Sequence, residues 1–384
     1  MNLFKSITER RLGSQGSSID WVILICMIPI LLGGIMTMYS FSSPDSHALK
    51  QTLWIIFSIG VFIFISKIDT GFIKIPSVTL GLYIFTLISL FALVILGKIS
   101  HGASSWFDLG FFSFQPSDFA KIVLIIILAK YFSRRHIEIR NVRHIFISGI
   151  YAFVFFILIL AHPDLGSASI IFLIWFGMIL VSGLSKKHLF GIFSIGLVTF
   201  LLLWNFGFRE YQKDRIRSFV SPLTDIHGAG YNAYQSKVAI GSGEWFGKGL
   251  GYGTQSRLKY LPEYQTDFVF AAFAEEWGFV GVFIMMGLFA IIIFRILMHA
   301  MKGQTNFEIL FGIGTAIYFI VHIFINVGMN VGILPVTGTP LPFMSYGGTH
   351  ILSEFIILGI LMSQRRHCRI VHKDLESQEL LGPQ

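Results

Sequence analysis

Trp21-Val-Ile-Leu-Ile-Cys-Met-Ile-Pro-Ile-Leu-Leu-Gly-Gly-Ile-Met-Thr-Met-Tyr-Ser-Phe41 runs from end to end without a charged residue. An α-helix rises about 1.5 Å per residue, so about 20 apolar residues cross the hydrocarbon core of a bilayer. The run therefore reads as a membrane span. It is too long for the apolar core of a signal peptide, and no A-x-A-like cleavage site follows it, so it is expected to be retained.

Working outward, nine more segments have this character: 51–66, 76–97, 119–133, 145–161, 165–183, 188–206, 268–298, 307–334 and 345–363. The expectation is an all-α integral membrane protein of about ten transmembrane helices. A polar tail (1–19) precedes a polytopic domain (20–366), and a second polar tail (367–384) follows it. Composition agrees. The 384 residues are 54% hydrophobic and 13% charged, against about 25% charged in soluble domains. The net charge of +8 therefore does not indicate a nucleic-acid partner. Excess Lys and Arg in a membrane protein marks cytoplasmic loops. Arg10, Arg11, Lys67, Lys74, Arg134, Arg135, Lys186, Lys187, Arg365 and Arg366 fall in every second connection, all on one side of the predicted spans, which places both termini inside. The 207–266 loop between spans 7 and 8 then lies outside; a loop this long crosses regardless of its charge. Cys26 and Cys368 sit at different levels, so neither a disulfide nor a cysteine metal site is expected.

The outer face concentrates Gly, Pro, Asp and aromatic residues in four places. The first runs from His101-Gly-Ala-Ser-Ser-Trp106 to Phe114-Gln-Pro-Ser-Asp-Phe-Ala-Lys121. Pro116-Ser117-Asp118 signals a helix start, and Ser117 reads equally as a plain cap. Asp118 and Lys121 share a helix face. Lys121 either faces a cavity, where it can hold a phosphate, or extends to the membrane surface. The second is His162-Pro-Asp-Leu-Gly166, which taken alone reads as a tight turn around Asp164.

The third is the long 207–266 loop. It carries Arg215, Arg217 and a glycine-rich stretch, Gly247-Lys-Gly-Leu-Gly-Tyr-Gly253. Structureless loops of this length are usually functional, and glycine-rich backbone with interspersed cations can cradle an anion. A dinucleotide site is excluded because no βαβ unit surrounds the glycines. Thr266-Asp267 opens the next helix. Thr266 is the expected N-cap, which puts Asp267 at the positive end of the dipole and favours its ionised form. Glu275 and Glu276 follow within the membrane, as functional carboxylates or as an interhelical pair. The fourth place, 326–349, has three prolines between Asn326 and Thr349. Broken backbone at membrane depth lines a cavity or is buried in protein.

Taken in order, these motifs resemble the SEDS family (shape, elongation, division and sporulation proteins), most closely its rod-shape-determining, RodA-type branch. The markers are GASSW, QPSD…K, PDLGSA, GAGYNAYQSKVAIGSGEWFGKGLGYGTQS, LPEYQTDFVFAAFAEEWG and NVGMNVGILPVTGTPLPFMSYGGT. The likeness runs from about residue 20 to 366. The resemblance implies ten transmembrane helices and polymerisation of lipid II into peptidoglycan glycan strands at the outer face of the bacterial inner membrane, for elongation and shape. It implies Asp267 as the catalytic residue. Gln115, Ser117, Asp118, Lys121 and Asp164 are implied at the substrate. Glu263 and Ser345 join these as candidate contacts. The chain departs from the family pattern at Ser105, where arginine is usual, at Asp118, where glutamate is usual, and at His162, where glutamine is usual.

An α-linked lipid diphosphate converted to a β-1,4 polymer requires inversion, so a base must serve the attacking hydroxyl and cations the leaving diphosphate. Asp267 is the expected base. Lys121, Lys248, Arg215 or Arg217 are the candidate diphosphate ligands. A divalent cation, Mg²⁺ or Mn²⁺, fits this chemistry, and no organic cofactor is expected. The resemblance also implies partners: the nascent glycan strand, a class B penicillin-binding protein and other elongation-complex membrane proteins. Rival readings are a lipid II flippase and a non-catalytic scaffold of the wall-synthesis complex. Transporters are usually built from internal repeats around a midplane site. Here no repeat is found, and the polar motifs crowd one face.

Overall fold

The computed structural model describes residues 19–41, 47–96, 107–108, 113–134, 142–162, 164–207, 210–220, 229–258, 260–261 and 263–381. The 101–106 motif with Ser105, together with residues 1–18 of the N-terminal tail, lies outside them.

Among the described residues, the regular structure is all-helical apart from a hairpin that pairs Phe107–Asp108 with Ser113–Phe114. Membrane-type helices come first: α1 (Trp21–Phe41), α2 (His47–Lys67), α3 (Pro76–Leu96), α4 (Pro116–Ser133), α5 (Val142–Ala161), α6 (Leu165–Val181) and α7 (Lys186–Leu202). Three shorter helices follow: α8 (Glu210–Val220), α9 (Ala229–Ser242) and α10 (Thr254–Arg257). The last three are α11 (Val269–Met301), α12 (Asn306–Val331) and α13 (Gly348–Leu381). Among the described residues, seven helices are long and apolar enough to cross a membrane, and α6 is an apolar helix of 17 residues. Beyond 363 the chain remains helical to Leu381, so the expected C-terminal tail continues the last helix.

Helices α4 and α12 form the interior. Helix α12 packs against α4, α6, α9, α11 and α13, and α4 is buried almost continuously from Pro116 to Ala129. A helix apolar all round belongs inside a bundle. The peripheral helices show the opposite face: Phe57, Phe64, Phe85, Phe91, Phe146 and Phe283 are all more than half exposed. Such surface suits contact with lipid. On the side holding the start of α1, Asp20 is buried and bonded by Arg295 and His299 of α11, which clasps the two helices together.

The 207–266 segment is not the structureless loop expected. It holds three helices, and α9 packs against α11 and α12. Helix α8 is supported by charge pairs along its surface, Lys213–Glu210 at 3.2 Å and Arg217–Asp214 at 3.1 Å. These are the i,i+3 partnerships that stabilise short helices in water.

The glycine-rich stretch has a structural assignment. Helix α11 is broken at Gly278 (φ 65°, ψ −167°). The break deprives Phe279 and Val280 of their intrahelical acceptors, the carbonyls of Glu275 and Glu276. The 243–253 segment supplies replacements on both sides. Phe279 N donates to Glu244 O (2.8 Å) and Val280 N to Trp245 O (3.0 Å); Lys248 N and Gly249 N donate to the Glu275 and Glu276 carbonyls, both at 3.0 Å. Buried backbone polar groups must be paired, and here the pairing is complete. Only glycine fits at the contact. A Cβ on Gly247 would lie 2.1 Å from Glu276 O, and one on Gly278 would lie 2.3 Å from Gly247 N.

Candidate active site

Asp267 stands in the turn before α11. Glu263 adopts a left-handed conformation (φ 52°), and its carbonyl accepts from both Thr266 N and Phe268 N at 3.2 Å. Thr266 is not the N-cap. That position belongs to Phe268, which has no side-chain oxygen, and the Thr266 hydroxyl instead donates to the Glu263 carboxylate at 3.0 Å.

Two asparagines hold the turn from below. Asn326 and Asn330, one helical turn apart on α12, each donate an Nδ2 bond to the Asp267 carbonyl at 3.0 Å. Asn326 also donates to Thr339 O at 2.7 Å. The broken connection after α12 closes the other side. Ser345 Oγ donates to Thr266 O at 2.6 Å and accepts from Leu341 N at 2.8 Å, and Tyr346 N donates to Gln265 O at 2.8 Å. Gln51 of α2 braces this segment through Ser345 O and Gly347 N. The Ser345 hydroxyl is thus spent on backbone and does not face open space.

Asp267 is half-buried, and its charge environment reverses the expectation of an easily ionised carboxylate. Burial, then the neighbouring Glu263 carboxylate, pushes its pKa up to about 7; Asp164 adds to the rise and the Arg215 guanidinium opposes it. The helix dipole, worth 0.3–1 kcal/mol or about half a pKa unit in exposed settings, is the smaller influence.

Asp164 is the N-cap of α6. Its Oδ1 accepts from Ser167 N at 2.9 Å, and its Oδ2 accepts from Gln115 Nε2 at 3.3 Å. Two motifs far apart in sequence therefore meet here, and α6 begins against the Thr337 carbonyl, close to Asp267. Arg215 reaches the same region from α8, its Nη1 donating to Thr337 O at 3.3 Å.

The remaining candidates lie elsewhere. Lys121 does not extend to the surface. It is 1% exposed and bonded to Asp118, also 1% exposed, at 2.8 Å. Asp118 lies 3.4 Å from His350 Nδ1, and His350 Nε2 lies 2.9 Å from Glu354 Oε1. The other Glu354 oxygen accepts from Phe343 N at 2.9 Å. His322 packs beside His350 with ring centroids 5.1 Å apart. Ser117 is not a cap, since Gln115 occupies that position; its hydroxyl is buried and unpartnered. Lys248 bonds to Glu275 and Thr254, both at 2.8 Å. Arg217 is exposed and paired with Glu210 and Asp214.

Gln115, Asp164, Arg215, Glu263 and Asp267 therefore gather at one place. Asp118 and Lys121 belong to a buried network, Lys248 to the Gly278 break, and Ser345 to the turn's scaffold. Asn326, Asn330 and His350 escaped the sequence reading as site residues. The signal for the two asparagines was the four-residue spacing of Tyr318, His322, Asn326 and Asn330 along a largely apolar helix; His350, on α13, had none. Among the described residues, no three His, Cys, Asp or Glu side chains are grouped to hold a metal ion.

A carboxylate poised near neutrality, with one guanidinium beside it and two asparagines fixing its backbone, is equipped to accept a proton. Known proteins resemble this chain in sequence and in fold. Peptidoglycan glycosyltransferase MrdB of Escherichia coli K12 is 36% identical over 362 residues, covering 93% of this chain and 96% of that one. Stage V sporulation protein E of Bacillus subtilis is 33% identical over 368 residues, covering 93% and 99%. Among solved structures, a chain of a peptidoglycan synthase complex that coordinates polymerisation and crosslinking superposes with a TM-score of 0.79. It is 26% identical, and the match covers 91% of this chain and 98% of that one. The crystal structure of the Thermus thermophilus rod-shape-determining protein RodA superposes with a TM-score of 0.68 at 26% identity, covering 90% and 96%. The model of the FtsW/RodA/SpoVE cell cycle proteins matches residues 19–370. With its motifs, its fold and nearly its whole length accounted for in this way, the chain belongs to the FtsW/RodA/SpoVE family, the SEDS family that its sequence resembles.

Proposed function

We propose that the protein is a peptidoglycan glycosyltransferase that polymerises lipid II with inversion and releases polyprenyl diphosphate. The observation that carries this reading is Asp267, held at the head of α11 with its carboxyl near neutrality, in a chain similar to proteins named for this activity. Asp267 takes the proton of the sugar 4-hydroxyl. That oxygen attacks the anomeric carbon of the second lipid-linked sugar as its bond to the diphosphate breaks. The electron pair leaves on the diphosphate oxygen, and Arg215 meets the charge that develops there. Gln115 and Asp164, joined by their hydrogen bond, form the opposite wall of the sugar site.

The topology that suits this chemistry has about ten spans and both termini cytoplasmic. The 207–266 arm then lies outside the inner membrane, and the 20–366 region acts as one membrane domain. A divalent cation, Mg²⁺ or Mn²⁺, would be held largely by substrate phosphate, with Asp267 and its neighbouring carboxylates supplying at most part of the shell. The proposed partner is a class B penicillin-binding protein acting as transpeptidase, in keeping with the synthase complex that supplies one structural neighbour.

The test is polymer formation from purified lipid II, with and without a cognate transpeptidase. Asp267→Asn should lose at least about 10²-fold, the usual share of a positioned base, at unchanged melting temperature. Equal polymer from both proteins would remove Asp267 from the mechanism. No polymer from either, with a folded complex, would favour a flippase.

A further inference from the structure

A narrow cleft, open to solvent, lies between α8, α9 and the segment that follows α12. Two cations from different helices line it, Arg215 of α8 and Lys237 of α9, and its apolar wall is made by Phe219, Leu334 and Val336. The Lys237 side chain lies along Gly332, the left-handed residue (φ 82°) that ends α12. A Cβ at Gly332 would stand 2.6 Å from Lys237 Cε and 2.9 Å from Nζ. The bare backbone at this position therefore leaves the room in which the lysine lies. Among the described residues, Lys237 forms no hydrogen bond and no ion pair. Within the described residues it thus differs from Lys121 and Lys248, which are both ion-paired.

The cavity adjoins the proposed base. Arg215 acts electrostatically on Asp267 and bonds Thr337 O, and the next residue, Gly338, lies against the Asp267 carboxylate. Arg215 thus stands between the carboxylate and the cavity. A forked guanidinium and a mobile ammonium on facing helices suit an anion with several oxygens, which each can approach from its own side. The apolar wall suits a hydrocarbon attached to that anion. Both lipid-linked substrates and the released product carry such a group.

We propose that Lys237, together with Arg215, binds the diphosphate of the polyprenyl leaving group, with the first prenyl units against Phe219, Leu334 and Val336. This rests on the glycosyltransferase reading for the identity of the ligand. The alternative is structural: a lysine at the end of α12 offsets the negative end of its dipole, which predicts a loss of stability and no effect on ligand.

The experiment uses the full chain in nanodiscs and measures direct binding of farnesyl diphosphate, inorganic diphosphate and farnesol to wild type, Lys237→Met and Lys237→Arg. Loss of one charge-assisted contact should weaken farnesyl diphosphate about 10-fold or more in Lys237→Met. Lys237→Arg should stay close to wild type. Inorganic diphosphate should bind more weakly but show the same ratio between variants, and farnesol should be insensitive to position 237. Equal farnesyl diphosphate binding by Lys237→Met overturns the proposal, as does a lowered melting temperature with unchanged affinity. Should Lys237→Met fail to fold, Lys237→Gln carries the same test. Asp267→Asn separates the two readings. If it abolishes polymer while binding ignores Lys237, only the cavity assignment fails. If no polymer forms but binding depends on Lys237, the cavity stands and the glycosyltransferase reading falls.

Discussion

Asp267 shows how far one residue's sequence position can mislead about its charge. Its place before an apolar helix suggested a carboxylate kept ionised by the dipole. In the fold it is crowded by Glu263 and Asp164 and shielded from water, and its pKa rises to about 7. A base must be ionised to accept a proton, so activity should rise about tenfold per pH unit up to about pH 7 and then level off. Glu263→Gln removes the nearest like charge and should move that break to lower pH; an unmoved profile would show that another group sets it. The candidacy of Asp267 was legible because TDF sits where an outer loop meets the membrane. The grip of Asn326 and Asn330 on its carbonyl was not. Neither asparagine announces which loop, 59 or 63 residues earlier, it will reach.

At the scale of elements, the spans were readable because about 20 apolar residues admit few other fates. The 207–266 arm was not. Its helices are short and rich in glycine or charge, and they are stabilised by docking on α11 and α12 rather than by their own periodicity. The glycines there suggested an anion cradle and proved to stitch a helix break. Two expectations follow. Gly278→Ala should cost at least about 2 kcal/mol, because a methyl must enter occupied backbone at a left-handed φ; a thermal melt with no shift would count against the stitched break. Lys248→Met strands the fully buried Glu275 carboxylate, so it should destabilise, and adding Glu275→Gln should recover much of the loss. If the double variant also regains polymerisation, Lys248 is not a diphosphate ligand.

At the scale of the whole molecule, α4, α12 and α13 meet around Asp118, Lys121, His350 and Glu354, all no more than 2% exposed. Charged groups within a membrane bundle persist only when mutually compensated. His350 touches both carboxylates of the set. Its removal should destabilise the protein by about 3–5 kcal/mol, the usual result of breaking a buried charge pair from one side. His350→Ala melting like wild type in detergent would show that the network is not holding the bundle. Sequence reading noticed Asp118 and Lys121 through their motif and assigned them to substrate. It could not see that α13 would bring a histidine between them and Glu354, since contacts across 232 residues leave no local trace.

Helix α11 is a rod of 33 residues in two pieces; the piece after Gly278 is about 35 Å long, enough to cross the hydrocarbon core. Its break at Gly278 divides the rod into a membrane-length shaft and a short post that carries Asp267 at its tip. With the 243–253 segment bonded across the joint, and Trp245 and Phe246 exposed beside it, the post cannot easily sink or tilt. The helical residues 269–277 raise Asp267 roughly 14 Å from the joint. On the proposed mechanism the protein therefore gauges its substrates by altitude: a sugar is within reach only when its lipid and diphosphate lift it to the height of that tip.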